Sequence, residues 1–279
     1  MIFMELPRLI ASAEKKYKNK LEEFFAGVFS NTTLFSHGID HHRRVWAFTK
    51  ELIAKFPEDR LIHDYFIPEK LIIASYLHDS GMSADTGPRH GIKSRMVCEQ
   101  FLKKYNLPES EFADVLYAIE NHDNKEYSQP DYKDILLTVL SVADDLDAFG
   151  FIGIFRYIEI YLTRNKPIRD LGNMINENSA NRYRHFVTSF GSDQALVEKH
   201  CRRYQILITF FDEYNKQCND YQFDTSIPSG YCGVAEIIQK LMHKELTPDR
   251  WYSYVKEISD DKVLDWYFSG LKNELSSFS

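Results

Sequence analysis

The chain has 279 residues, of which 44% are hydrophobic and 27% are charged, close to the average for globular proteins. This composition excludes disordered, collagen-like and low-complexity chains. The 34 Lys and Arg residues against 41 Asp and Glu residues give a net charge of −7. Proteins that bind duplex nucleic acid usually present a broad basic surface, so we expect no duplex nucleic acid as the main partner.

Helical periodicity runs through nearly the whole chain, and strand-type alternation is almost absent. With only 12 Gly and 9 Pro, few residues interrupt helices. One apolar stripe, formed by Val234, Ile237, Ile238, Leu241 and Met242, predicts a helix face in the core. We predict an all-α fold with helices over residues 6–28, 41–57, 68–78, 90–105, 109–122, 131–147, 149–163, 176–190, 193–217, 232–245, 248–258 and 260–275.

No internal repeat, Ser/Gly-rich linker or long block of charge divides the chain. We therefore predict a single all-α domain over residues 1–279. No stretch of about 18 uncharged apolar residues occurs, and the first residues carry only a short apolar run. We expect no membrane span and no membrane partner.

The cysteines are widely spaced and contain no CxxC pair. Their positions are Cys98, Cys201, Cys218 and Cys232. This spacing predicts neither a zinc knuckle nor a disulfide framework. It favours a reducing compartment, and we expect a cytoplasmic protein.

Imidazole and carboxylate groups gather at the ends of predicted helices. The apolar run from Leu71 to Leu77 is closed by His78 and Asp79, so a mostly buried helix ends in both groups. A buried carboxylate needs a partner, because burying its charge alone costs several kcal/mol or shifts its pKa. A divalent cation is one such partner: iron, manganese, zinc or nickel suits these ligands, and one aspartate can bridge two ions. Each histidine taken singly is also explained as a hydrogen-bonded core residue.

Short motifs connect these residues to a known family. The chain contains HGIDHHRRV at 37–45, LHDSG at 77–81, RHG at 89–91, ENHD at 120–123 and SVADDLDAFG at 141–150. Their order, H, HD, H, H and D, resembles the HD superfamily of metal-dependent phosphohydrolases. The resemblance implies an HD-domain helical bundle over about residues 30–165, with additional helices over about 166–279 packed on it.

The resemblance also implies two divalent metal ions. The first would be held by His41, His78, Asp79 and Asp144. Asp79 would bridge to a second ion, held by His90 and His122. A hydroxide bridging the two cations would be the nucleophile, which gives Asp79 and His78 catalytic roles. Iron, manganese, nickel, zinc and magnesium all stay open as the metal.

Two further histidines compete with His41 for its place. His37 lies four residues before it and His42 directly after it. Because the HxxRV motif aligns on His41, we take that residue as the ligand and keep the other two as alternatives. Asp123, beside His122, is interpreted as a surface residue or as a neighbour of the ligands.

Substrate-binding groups must come from outside the metal ligands. Arg156 is a candidate because it follows Asp144 near the start of the next predicted helix, and guanidinium groups match phosphate oxygens. Lys93, one helical turn after the histidine of the RHG motif, is a comparable candidate. Arg44 is either a phosphate-binding residue or a structural ion-pair residue. Asp147, one turn after Asp144, is expected to orient a ligand or to pair with Arg44.

The resemblance implies a phosphomonoesterase or phosphodiesterase that acts on a nucleotide or another small phosphorylated metabolite. The residues after Asp79 lack the acidic pair of guanosine tetraphosphate hydrolases. Met82 replaces the lysine common in cyclic-dinucleotide phosphodiesterases of the HD-GYP type. We expect neither of these activities. Two alternatives stay open: a mixed-valent diiron oxygenase acting on a small polyol or phosphonate, and a degenerate regulatory module that binds metal without catalysis. The sequence does not specify the oligomeric state.

Overall fold

The computed structural model describes residues 6–32, 34–56, 66–87, 90–124, 134–224, 227–243, 250–258 and 260–278. These residues form α-helices and short 3-10 turns and contain no strand, which confirms the predicted all-α class. None of the described helices combines the length and the apolar character that crossing a membrane requires. The helices are α1 (Leu6–Val28), α2 (Ile39–Ile53), α3 (Ile67–Leu77), α4 (His90–Lys104), α5 (Ala113–Asn121), α6 (Ile135–Asp147), α7 (Gly150–Thr163), α8 (Leu171–Phe190), α9 (Gln194–Cys218), α10 (Gly230–Met242), α11 (Trp251–Ile258) and α12 (Lys262–Ser276).

Most predicted helices lie within a few residues of the observed ones, and the largest difference at a helix start is at α8. The predicted start at 176 is wrong, because the helix begins at Leu171. Glycine and asparagine near this end suggest a loop, yet Gly172 lets α8 approach the Asn215 side chain, where a Cβ atom would clash. Leu171 and Ile175 are fully buried. The predicted helix ends at 57, 131–133, 244–245 and 248–249 lie outside the described residues.

The chain divides into two compact units. The first consists of Met1–Asp147 and His185–Asp193, and the second of Ala148–Arg184 and Gln194–Ser279. Each unit is discontinuous in sequence, since the last residues of α8 belong to the first unit and the rest of that helix to the second. The predicted single domain, with a core of about 30–165 and an extension of about 166–279, stays a prediction.

Helix α3 is central to the first unit. It packs against α1, α2, α4, α5 and α6, and the run Leu71–Leu77 is fully buried on all sides. A helix that is apolar all round needs neighbours on every face, and each buried Leu or Ile side chain contributes about 1.5–3 kcal/mol relative to exposure. Pro68 lies in its first turn, where the missing N–H is not needed. Glu69 ties this end to α1 by accepting hydrogen bonds from Lys16 and Tyr17.

The second unit has its own hydrophobic core. Helix α7 packs against α9, α10 and α12, and α10 packs against α9 and α12 as well. The stripe predicted on α10 is confirmed: Val234, Ile237, Ile238 and Leu241 are buried, and Met242 is partly buried against the same core.

Candidate metal centre

All six predicted metal ligands belong to the first unit, and none is more than 4% exposed. They come together around the carboxyl end of α3. This end of a helix carries partial negative charge, which favours a cation. Helix ends bring the ligands there: His41 lies in the first turn of α2, His78 and Asp79 follow α3, His90 begins α4, His122 follows α5, and Asp144 lies in the last turn of α6.

One carboxylate oxygen of Asp79 faces the first set of ligands. The Nε2 atoms of His41 and His78 are 3.2 Å apart, and each lies 3.4 Å from Asp79 Oδ2. The Oδ1 atom of Asp144 is 3.8 Å from both nitrogens. These four side chains thus offer two imidazole nitrogens and two carboxylate oxygens within 4.8 Å of one another.

The other oxygen of Asp79 faces a second set. Asp79 Oδ1 lies 3.1 Å from His122 Nε2 and 3.3 Å from His90 Nε2. The candidate ligand atoms of these three side chains also lie within 4.8 Å of one another. Asp79 is therefore shared by the two sets, one oxygen to each.

The spacing and chemistry of these atoms suit divalent cations. Ligand atoms bound about 2.1 Å from one ion lie about 3–3.4 Å apart in tetrahedral or octahedral geometry. The shortest separations in both sets, 3.2 Å between His41 and His78 and 3.1 Å between His122 and Asp79, fall in this range. Imidazole with carboxylate is the donor combination that transition metals such as iron, zinc and manganese accept.

Hydrogen bonds at the outer nitrogen orient all four histidines of the two sets. In each ring, Nδ1 meets a carbonyl or carboxylate oxygen, which can only accept, so Nδ1 is the donor. In the neutral ring, Nε2 then carries a lone pair, and this atom is the one that faces Asp79. The pairs are His41 with Asp147 (2.8 Å), His78 with Ser75 O (3.0 Å), His90 with Gly87 O (2.8 Å) and His122 with Ile119 O (2.7 Å).

Asp147 connects His41 to a buried arginine. It accepts the hydrogen bond from His41, and it accepts two more from Arg44, whose Nε and Nη2 lie 2.7 and 3.0 Å from its oxygens. Asp147 is fully buried and Arg44 is 5% exposed. The expected pairing of Asp147 with Arg44 is confirmed. Asp147 also contacts the predicted ligand His41, and its orienting of a metal ligand stays a prediction. These contacts support the ion-pair interpretation of Arg44, and its role in binding substrate stays a prediction.

The carboxylates favour protonation of His78 and His90 when no cation is bound. Burial opposes the charge of His78, but the carboxylates of Asp79 and Asp144 together outweigh it and raise the pKa of His78 to about 10. At His90, burial is outweighed by Asp79 and then Asp123, which raise the pKa to about 9. Burial also opposes ionisation of Asp79, yet His78 and the hydrogen-bonding histidines keep its pKa well below the usual value. A bound cation would take the place of these protons, because metal ligands must be deprotonated.

Two glycines allow the ligand-bearing elements to come close together. Gly81 donates its N–H to Ser94 Oγ at 2.9 Å, and a Cβ atom there would clash with backbone atoms at the start of α4. At Gly91, a Cβ atom would lie 2.5 Å from the carbonyl oxygen of Glu120 on α5. Both glycines lie within the quoted motifs, but the sequence indicated no function for them. Their position directly after HDS and RH was the available signal.

The competing histidines lie beside the two sets. His37 Nε2 is 3.9 Å from Asp79 Oδ2. His42 forms a further group with His41 and His78, but that group contains no carboxylate to offset the charge of a dication. Burial, followed by the nearby imidazoles, lowers the pKa of His42 well below its usual value. The structure thus brings His41, rather than either neighbour, into the set that includes Asp144.

The other predicted residues have different surroundings. Lys93 is exposed on α4. Arg156 is buried on α7, in the second unit. The predicted substrate contacts of both residues stay predictions. The side chain of Asp123 is 31% exposed, and its Oδ2 lies 3.8 Å from His90 Nε2, which agrees with the interpretation as a neighbour of the ligands.

Comparison with known protein families gives a match over part of the chain. Residues 38–148 match the family model described as HD domain. The matched segment includes all six predicted ligands, from His41 to Asp144. No curated protein and no solved structure matches the chain.

We predict that Gly91→Ala disturbs the second ligand set before the first. The added methyl group must push α4 away from Glu120 on α5, which separates the histidines at these helix ends. Such overpacking typically costs about 1–3 kcal/mol. Metal titration followed by elemental analysis should show weaker binding of one ion. Gly27→Ala is the control, because nothing lies within 4 Å of its Cβ position on α1. Unchanged metal content and unfolding temperature in Gly91→Ala would contradict the prediction.

We also predict that Asp147→Asn weakens both metal binding and folding. The variant leaves the buried Arg44 without its carboxylate, a change that typically costs about 3–5 kcal/mol. It also removes the carboxylate that orients His41, which typically lowers metal affinity about 10–100-fold. Denaturant unfolding and competitive metal titration measure the two effects.

Asp145→Asn is the matched control for this prediction. Asp145 lies on the same helix and is equally buried, but it accepts a hydrogen bond from His185 at 2.8 Å. We expect lower stability with wild-type metal affinity. Equal metal affinity in Asp147→Asn and the wild type would show that Asp147 does not orient His41 for metal binding.

Proposed function

Since residues 38–148 form an HD domain, we propose that this chain is a metal-dependent phosphohydrolase. Members of the family are generally metal-dependent hydrolases. The proposed reaction is hydrolysis of a phosphomonoester or phosphodiester in a nucleotide or another small phosphorylated metabolite. Its proposed cofactors are two divalent ions, with Asp79 shared between them.

The observation that carries this proposal is the common orientation of four histidines. Each donates Nδ1 to an oxygen that can only accept and turns Nε2 toward the same aspartate. A buried imidazole that serves only packing needs no such convergence. Hydrogen bonding of the outer nitrogen is the usual arrangement at metal-binding histidines. Convergence on both oxygens of one carboxylate favours two ions over one.

The proposed roles follow from these positions. Divalent cations bound at the two sets would neutralise charge on the phosphoryl group and lower the pKa of a water molecule. Asp79 holds the two sets at a fixed separation. His78 is held by Ser75 O, which fixes its ring against Asp79 and His41. The low exposure of all six ligands limits the water around the reacting groups and strengthens their electrostatic interactions.

Metal content of ligand variants tests the proposed site. Asp79→Ala should lose both ions, because the shared carboxylate is gone, whereas His122→Ala should keep an ion at the first set. Elemental analysis of purified full-length protein measures this. Bound metal stabilises the folded state by about 2.7 kcal/mol at 100 times its dissociation constant, so chelation should lower the unfolding temperature of the wild type. Two ions and wild-type turnover in Asp79→Ala would refute the assignment.

A panel of substrates tests the reaction. Samples of the protein are loaded with manganese, nickel, zinc or magnesium, and one sample is loaded with iron under anaerobic conditions. Each sample is then incubated with phosphomonoesters, phosphodiesters and nucleotides. Release of phosphate or of an alcohol that depends on metal and is lost in Asp79→Ala supports the hydrolase. The iron-loaded protein is also tested for oxygen consumption with a polyol or phosphonate. Oxygen consumption without hydrolysis by any metal form would refute the hydrolase and indicate an oxygenase. Metal binding with neither reaction would indicate a regulatory module.

Lys93 and Arg156 are proposed to bind substrate phosphate rather than metal. Neither cationic side chain is a suitable ligand. We expect Lys93→Met and Arg156→Met to keep wild-type metal content and to lower kcat/KM by the equivalent of about 1.5–3 kcal/mol, the typical value of a hydrogen bond to a charged group. Steady-state kinetics on a substrate from the panel measures this, with Lys103→Met on the last turn of α4 as a control. Unchanged kinetics in either variant would indicate that the substituted residue does not bind substrate.

A further inference from the structure

Two free cysteines meet in the second unit. Cys218 is the last residue of α9, and Cys232 is the third residue of α10. Their sulfur atoms are only 3.3 Å apart. Both are free thiols; Cys218 is 8% exposed and Cys232 is fully buried. The spacing in sequence predicted no pairing, so the tertiary structure alone brings them together.

Hydrogen bonds hold the two helix ends in this position. The Gln217 side chain accepts the N–H of Cys232 at 2.9 Å and donates to Ser229 O at 3.2 Å. Arg169 donates to the carbonyl oxygens of Cys218 and Tyr221, both at 2.8 Å. A disulfide bond measures about 2.05 Å, so the sulfur atoms need to approach by little more than about 1 Å. The pair is held close without being bonded.

We propose that Cys218 and Cys232 are a redox-active dithiol that closes to an intramolecular disulfide by exchange with a small-molecule disulfide. The Cys218 thiolate attacks one sulfur of the oxidant, which forms a mixed disulfide and releases one thiolate. Cys232 then gives up its proton and attacks Cys218 Sγ, which breaks the mixed disulfide and releases the second thiolate. The protein loses two electrons, and the oxidant is reduced to two thiols.

The surroundings favour Cys218 as the attacking residue. It is the more exposed of the two, and only an accessible sulfur can reach an oxidant from solution. The hydrogen bond from Cys232 lowers the pKa of Cys218, and the charge of Arg169 acts in the same direction. The same contact raises the pKa of Cys232. The buried thiol is therefore suited to the second step, in which the attacked sulfur lies directly beside it.

Closure would tie α9 to α10. A bond between the two cysteines closes a covalent loop around residues 219–231, and this removes conformational freedom from the unfolded chain. Glu236 already restrains the described residues after Cys218 by accepting hydrogen bonds from Tyr221 and from the N–H of Asp224. We therefore expect oxidation to make the folded protein more resistant to heat, with little change in native structure.

Peptide mapping of the full-length protein tests the proposal. The protein is equilibrated with glutathione at several ratios of the oxidised to the reduced form, quenched with acid, alkylated and digested. Mass spectrometry should find a cross-linked peptide that joins Cys218 to Cys232, while Cys98 stays alkylated. The unfolding temperature should rise by several degrees on oxidation and return after reduction with dithiothreitol. The proposal is overturned if both cysteines stay alkylated at every ratio, or if Cys218 remains a glutathione adduct while Cys232 stays free.

Serine variants distinguish the two steps. Cys232→Ser should stop at the glutathione adduct on Cys218, and Cys218→Ser should leave Cys232 unreacted. Cys201→Ser is the matched control, since it removes a thiol on α9 outside the pair and should leave closure unchanged. Adduct formation on Cys232 in Cys218→Ser would reverse the proposed order of attack. The wild-type peptide map decides the proposal by itself if a variant fails to fold.

Discussion

A buried carboxylate governs the organisation of the first unit. Asp79 is 3% exposed and follows a helix whose run Leu71–Leu77 is buried on all sides, so its charge has almost no contact with water. Burying an unpaired ionised carboxylate would cost more than the folded state can offset. In the folded chain, the imidazoles of four histidines face the two oxygens of Asp79 and stabilise its charge. These histidines are His41, His78, His90 and His122. The burial of α3 and the polar centre at its end are thus parts of one arrangement.

A surrounding layer of acceptors and close backbone contacts maintains that centre. Three of the four imidazoles are oriented by backbone carbonyls, and the remaining one by Asp147. Because carbonyl positions depend on where helices end, the geometry of the centre depends on the packing of α3, α4 and α5. Gly81 and Gly91 make this packing possible, since a side chain at either position would meet backbone atoms. Arg44 compensates the charge of Asp147, which extends the polar network one residue further.

The second unit has a different chemistry in its core. Its buried thiols lie in a setting of aromatic and aliphatic side chains, where Tyr214 and Cys232 are fully buried. Nothing in this setting resembles a metal site, because among the described residues the groups suited to a metal all come from the first unit. Each unit therefore contains its own set of reactive side chains: the histidines and carboxylates in the first unit and the thiol pair in the second.

The sequence by itself determined the all-α class, the apolar stripe of α10 and the six residues of the two candidate ligand sets. Helical periodicity is a local signal, and the six residues lie in short motifs whose order resembles that of a known family. Only the tertiary structure decided which atom of each histidine faces the centre. Most of the groups that orient the rings are backbone carbonyls, which every residue has and which therefore leave no signal in the sequence. The same holds for the early start of α8, whose first residues Leu171 and Ile175 are fully buried in the core of the second unit. It holds as well for Cys218 and Cys232, whose contact depends on how α9 and α10 pack rather than on any spacing along the chain.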